Sequence, residues 1–185
     1  MRLLGIASHL APRTHLRWGP SAWFAGGVAA EIRLATRADI EGLIGLEGQL
    51  FAGDAGEHDP GVDVTWPERC GAADFLALLG NEKALVLVAT DALGACGHLV
   101  GWVSEASEVR RRVVTGYLRS LFVEERARRH GVARGLVERF VAWAEGEHGA
   151  VSVSVTAYAQ NQHARAFYAD LGFETVSVVL TRARG

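Results

Sequence analysis

The chain has 185 residues, 49% of them hydrophobic and 22% charged, with a net charge of −2. That is enough apolar sequence for one globular domain plus an arm, too apolar for a disordered chain, and too near neutrality for a nucleic-acid binder basic over a whole face. The two cysteines, Cys70 and Cys96, sit in no metal-ligand spacing and form no disulfide framework, so a reduced, cytoplasmic setting is expected.

Residues 1–30 read as an N-terminal arm. Arg13 and Arg17 interrupt what would otherwise be the apolar middle of a signal peptide, and SAWFAGGVAA (Ser21–Ala30) is short and broken by glycine. No stretch reaches the ~18 apolar residues of a membrane span. The folded domain is expected over 31–185. EIRLAT (Glu31–Thr36) alternates as a strand, and Ile40 to Phe51 repeats at helical spacing up to Gly53, with Thr36 or Asp39 as cap. DAGEHDPGVDVTWP (Asp54–Pro67) reads as a turn-rich acidic loop, and Pro67 opens a second helix that Gly80 ends.

Strands come next. ALVLVAT (Ala84–Thr90) is a continuous apolar run, and HLVGWVS (His98–Ser104) returns from it across a hairpin. After a charged loop, Val113–Glu125 is a long strand. Gly131–His148 is an amphipathic helix, and Val151–Tyr158 is an alternating strand. Asn161 caps a helix that stops at Leu171–Gly172–Phe173, and FETVSVVLTRA supplies a closing strand. The expected class is one α/β (α+β) domain with helices on both faces of a mixed sheet.

RARRHGVARG (Arg126–Gly135) places four arginines and a histidine where a helix begins. Cations are unfavourable at the positive end of a bare helix. They make sense if a polyanion sits there, held by the unpaired N–H groups of the first turn, with Gly131 allowing close approach. The stretch reads as an anion cradle suited to a pyrophosphate or, taken alone, as a solvated basic loop. It fits neither the dinucleotide fingerprint nor the P-loop pattern.

R-x-x-G-x-A (Arg128, Arg129, His130, Gly131, Val132, Ala133) comes after an apolar strand. About thirty residues later stands N-x-x-A-x-x-F-Y-x-x-x-G-F (Asn161, Ala164, Phe167, Tyr168, Gly172, Phe173). Together they resemble the GCN5-related N-acetyltransferase (GNAT) superfamily. The likeness implies a mostly antiparallel sheet of six to seven strands with splayed central strands, and acetyl-CoA as cosubstrate. It implies pantetheine contacts at Leu121, Phe122 and Val123, and pyrophosphate contacts over Arg129–Arg134, with Arg126, Arg128 or Arg134 available to the 3′-phosphate. Asn161 matches a residue near the pantetheine arm. Tyr168 matches the general acid, whose phenol pKa near ~10 lies close enough to a thiol near ~8.5 for proton delivery.

The resemblance leaves the base open. Some relatives carry a glutamate five residues before the matching asparagine, and here that position is Thr156. Glu105 is the expected base, with Glu47, Asp54, Glu57, His58, Asp59 or a water chain as alternatives. The acidic loop, with Asp54, Asp59 and Trp66 foremost, suits a cationic acceptor. The expected activity is acetyl transfer to a small-molecule or peptide amine, without metal, nucleic acid or membrane, by a protein able to form a homodimer. The alternative is a non-catalytic acyl-CoA-binding module.

Overall fold

The computed structural model describes residues 30–105 and 113–182. The arm over 1–29 and most of the charged loop after Glu105 lie outside those residues. Five strands form one sheet in the order β1 (Glu31–Leu34), β2 (Ala84–Asp91), β3 (Gly94–Glu105), β4 (Val114–Val123) and β5 (Ser152–Val155). The first four pair antiparallel, and β4 with β5 is parallel. The sheet is mixed and mostly antiparallel as expected. Its strand count among the described residues is five rather than six or seven, because Phe173–Arg182 forms no ladder.

The continuous apolar run of β2 has a direct cause: it is buried on both faces. Leu85 and Leu87 point into a core shared with Leu136, Phe140 and Ala144 of α4 (Val132–His148). Val86 and Val88 point the other way, against Leu43 of α1 (Ile40–Leu50) and Phe75 of α3 (Trp66–Leu79). α4 lies close to the sheet because Gly101 has no side chain. A Cβ there would stand 2.5 Å from the Phe140 ring. Phe140 is fully buried, a burial that contributes about 2–3 kcal/mol.

Two elements differ from the sequence expectation. The helix read as ending near Gly53 runs on through a π-helical turn, Phe51–Ala55, into one further α-helical turn, α2 (Gly56–His58). The extra residue per turn shifts the phase of α2 relative to α1, and such bulges are frequent at functional sites. The connection between β2 and β3 is tighter than expected. Only Ala92 and Leu93 separate the strands, with the Leu93 N–H donating to Asp91 Oδ1 and Gly94 at φ +112°.

Candidate active site

The β3–β4 register slips between Val100 and Gly101: Val100 faces Ser120, but Gly101 faces Leu118. Arg119 is therefore the extra residue of a bulge in β4. On the other side, β5 pairs only with Thr115–Leu118 and ends at Val155, while β4 continues to Val123. Beyond the bulge, Leu121, Phe122 and Val123 have β3 on one edge and no ladder partner on the other among the described residues. A strand edge of this kind presents N–H and C=O groups to an extended ligand.

β4 leads into the arginine-rich turn. Arg128 folds back: its Nε donates to the Val123 carbonyl at 2.9 Å, and its guanidinium lies 5.8 Å from the Phe122 ring centre. Arg126 is committed elsewhere, to Asp91, Glu124 and the Ala95 carbonyl. Of the three arginines available for the 3′-phosphate, Arg126 is thus engaged by other groups of the chain. Arg134 pairs with Glu138, at 3.7 Å across exposed surface.

Arg129 and Gly131 both have positive φ, +63° and +77°. For Gly131 this is the glycine-favoured region, and a Cβ there would meet nothing within 4 Å. The first helical return bond is Gly135 N–H to the Gly131 carbonyl, so the Val132, Ala133 and Arg134 amides head α4 without such a bond. Left-handed residues ahead of a helix start make a concavity of N–H groups suited to an anion. Geometry and charge fit a diphosphate, with the open β4 edge leading to it.

The second lobe lies on α5 (Gln162–Asp170) and the π turn. Asn161 Oδ1 accepts from the Ala164 N–H at 2.9 Å, which caps α5, and its Nδ2 donates to Asp54 Oδ1 at 2.6 Å. His58 Nε2 stands 3.6 Å from the same carboxylate oxygen, and its ring centre lies 5.4 Å from that of Tyr158. Tyr168 is largely buried between Phe167 and Phe173, at centroid distances of 5.2 and 5.4 Å. Burial first, and the nearby Asp54 charge second, push the Tyr168 phenol well above its ordinary value. It keeps its proton through the physiological range. Burial, then Asp59 and Asp54, also raise the Tyr158 phenol.

The remaining expected residues divide. Trp66 stacks on Phe51 at 5.8 Å, beside the π turn. Asp59 Oδ1 accepts from the Gly61 N–H and is used within its own turn. Glu105, the expected base, is placed elsewhere. It ends β3 opposite Val114, while His98 stands opposite Phe122. Seven residues of strand put it about 23 Å from that level, exposed and 3.8 Å from Lys83. The structure does not bring it to the two lobes.

Sequence reasoning missed the Asp54–Asn161 tie, the place of Tyr158, and a buried polar cluster on β3 and β4. In that cluster His98 Nε2 is 2.5 Å from Glu47 Oε2 and 3.4 Å from Ser120 Oγ. Arg119 approaches Glu47 Oε1 at 3.6 Å and donates to Asp74 at 2.7 Å. The four-residue spacing of Asp54 and His58 was the available sign that helix continued there. Among the described residues no group of His, Cys, Asp and Glu could hold a metal ion, and no helix is long and apolar enough to cross a membrane.

Solved structures share this fold. The aminoglycoside N-acetyltransferase AAC(6')-Iy, in complex with CoA, superposes with a TM-score of 0.69 at 21% identity, covering 85% of this chain and 96% of that one. A mutant of the BH1408 protein from Bacillus halodurans gives 0.69 at 24% identity, over 83% and 98%. The aminoglycoside antibiotic 6'-N-acetyltransferase AAC(6')-Ih from Acinetobacter baumannii gives 0.64 at 19%, over 85% and 99%. At these identities the likeness is one of fold. No curated protein matches the chain. The acetyltransferase (GNAT) family model matches residues 55–173, more than half of the sequence, including β4, the turn after it and α5 but not Phe51–Asp54 of the π turn. The chain belongs to the acetyltransferase (GNAT) family.

Proposed function

We propose that this N-acetyltransferase moves the acetyl group of acetyl-CoA to a primary amine by direct attack in a ternary complex. The observation that carries the reading is the continuity of the β4 edge with the turn after it. The edge left open where β5 stops runs into the left-handed Arg129–Gly131 turn and the free amides of α4. In this reading Leu121, Phe122 and Val123 hold the pantetheine arm. The segment from Arg129 through His130, Gly131, Val132 and Ala133 to Arg134 holds the diphosphate, and Arg128 stiffens the junction between them.

Acetyl-CoA supplies an acyl group already activated as a thioester. The chain's own work is to position, to polarise and to move protons. A main-chain N–H near Phe122–Val123 stabilises negative charge on the carbonyl oxygen as the amine nitrogen bonds to carbon. The carbon–sulfur bond then breaks, and Tyr168 gives its hydroxyl proton to the departing sulfur. The raised phenol pKa keeps the hydroxyl protonated, so that it donates a hydrogen bond to the departing sulfur, and it makes the hydroxyl a weaker acid than a free phenol.

Asp54, rather than Glu105, takes the role of base. Its Oδ1 is engaged by Asn161, and its other oxygen remains to attract an ammonium and accept its proton, with His58 beside it to pass the proton outward. An acidic and aromatic wall of Asp54, Phe51 and Trp66 favours a cationic acceptor. The naming of structural neighbours as aminoglycoside acetyltransferases supports including amino sugars in the search.

The test is thiol release from acetyl-CoA with polyamines, aminoglycosides and peptide N-termini. At least one amine should accelerate release, and Asp54→Asn should reduce that acceleration about 10²-fold while cofactor affinity holds. Failure to bind coenzyme A in calorimetry would sink the reading.

A further inference from the structure

Arg119, the extra residue of the β4 bulge, grips two helices at once. Its Nη1 donates to Asp74 Oδ2 of α3 at 2.7 Å, and its Nη2 stands 3.6 Å from Glu47 Oε1 of α1. Those helices bracket the acidic and aromatic wall. Glu47 lies one helical turn before the π turn, and the Phe51 N–H returns to the Glu47 carbonyl. α3 opens at Trp66, whose ring stacks on Phe51 at 5.8 Å. The segment 51–65, with Asp54 in it, is thus strung between two helices that one guanidinium holds.

α1 is also tied to β4 on either side of the open edge Leu121–Val123. Before it, the buried Glu47 carboxylate is bonded by His98 of β3, at 2.5 Å, and by Ser120 of β4. After it, Gln49 Nε2 donates to Glu124 Oε1 at 3.1 Å. The buried part of this cluster is a poor source of stability. Two of its buried nitrogens, His98 Nδ1 and Arg119 Nη2, make no hydrogen bond with any described residue. Well-packed apolar side chains in place of such an ionic cluster serve a core as well or better. What the cluster supplies is geometry: directional bonds admit one register of α1 on β4, whereas apolar contacts tolerate sliding.

We infer that Arg119 is a positioning residue. Through Asp74 and Glu47 it holds α1, α3 and the segment between them at a fixed separation from the β4 edge. An amine beside Asp54 then meets a thioester carried on Leu121–Val123. The guanidinium acts through the two carboxylates and not on the reacting atoms. Its bearing on acetyl transfer rests on the acetyl-CoA reading of that edge; the tie between bulge and helices does not.

The test uses the full chain, with coenzyme A as the probe, and reads amide exchange and calorimetric affinity. Arg119→Met keeps the stem and removes the charge. Without ligand, amides of 51–55 and 121–123 should exchange about tenfold faster than in the parent, while those in the centre of α4 hold their rates. Coenzyme A should bind about tenfold more weakly, because the edge that receives it is no longer held. Arg119→Lys, which restores the cation without the fork, should recover part of both effects. Asp74→Asn alters a partly exposed site and reads the same tie if Arg119→Met fails to fold; it should loosen the same two segments to a smaller extent. Val103→Ala, a core truncation at the far end of β3, controls for lost stability and should leave both segments and the affinity as in the parent. Unchanged exchange and affinity in both Arg119→Met and Asp74→Asn would overturn the proposal, and so would the same pattern in Val103→Ala. A chain that shows the exchange effect but takes up no coenzyme A would instead sink the cofactor reading and leave the tie standing.

Discussion

Asn161 holds Asp54 across 107 residues of sequence, its Nδ2 donating to the carboxylate at 2.6 Å while its Oδ1 caps α5. One side chain thereby fixes the start of the helix that carries Tyr168 and the orientation of an acid on the π turn. Asn161→Ala removes both bonds. A lost cap costs ~1 kcal/mol and a hydrogen bond to a charged group about 1.5–3 kcal/mol. Urea unfolding should show a loss of about 2.5–4 kcal/mol. Asn161→Asp keeps the cap but sets two carboxylates against each other, and should lose as much or more at neutral pH. Equal stability of Asn161→Ala and the parent would mean the tie is not formed in solution.

Tyr168 is packed by two aromatic rings and raised in pKa by burial and by Asp54. Tyr168→Phe removes only the hydroxyl, so the packing and the calorimetric affinity for coenzyme A should remain. Turnover should fall by about 10²-fold or more, the ordinary scale of a lost general acid. A parallel loss of cofactor affinity would assign the hydroxyl to binding instead.

Much of the architecture was legible because periodicity is a direct record of burial. Leu85, Leu87, Val86 and Val88 announce a strand covered on both faces, and Leu136 and Phe140 announce the face of α4. The glycine-centred turn was legible because only a few residue types tolerate φ of +77° ahead of a helix. The acid side was not. A π turn alters helical phase by one residue, and Gly53 and Gly56 look like breakers although tertiary contacts hold the helix through them. The tail misled differently. Strand propensity in Val176–Leu180 is a local property, whereas a strand also needs a partner edge, which local sequence does not specify.

Gly131 offers a separation of conformation from crowding. A methyl group there would touch nothing within 4 Å, so Gly131→Ala incurs only the left-handed backbone cost of about 1–2 kcal/mol. Thermal unfolding should register that loss. Coenzyme A should bind more weakly, because relief of the strain moves the Val132 and Ala133 amides. Arg129, also left-handed at φ +63°, gives the opposite sign: Arg129→Gly should gain up to ~1 kcal/mol while losing a cation beside the diphosphate. A stable variant with weakened cofactor binding would separate the two contributions at this turn.

The buried cluster that joins Glu47 of α1 to β3 and β4 makes the fold sensitive to acid. Glu47 is 2% exposed and His98 fully buried. Burial by itself would raise the Glu47 pKa. The hydrogen bond from His98, the charges of His98 and Arg119 and the bond from Ser120 together outweigh it and hold the carboxyl below its usual 4.5. With the folded value depressed, the unfolded chain binds the proton more readily. The contribution to stability is therefore complete above pH 4.5 and is lost as pH falls through the lower folded value. Glu47→Ala leaves His98 and Arg119 facing a cavity, and should cost about 3–5 kcal/mol at neutral pH. Glu47→Gln preserves volume and should cost less, but it removes the titrating group. Its stability should change less than the parent's between about pH 5 and pH 3, so the two urea midpoints converge as the solution is acidified. Parallel curves for parent and variant would place the acid sensitivity on other carboxylates, Asp39 with its Arg33 partner being the first to examine.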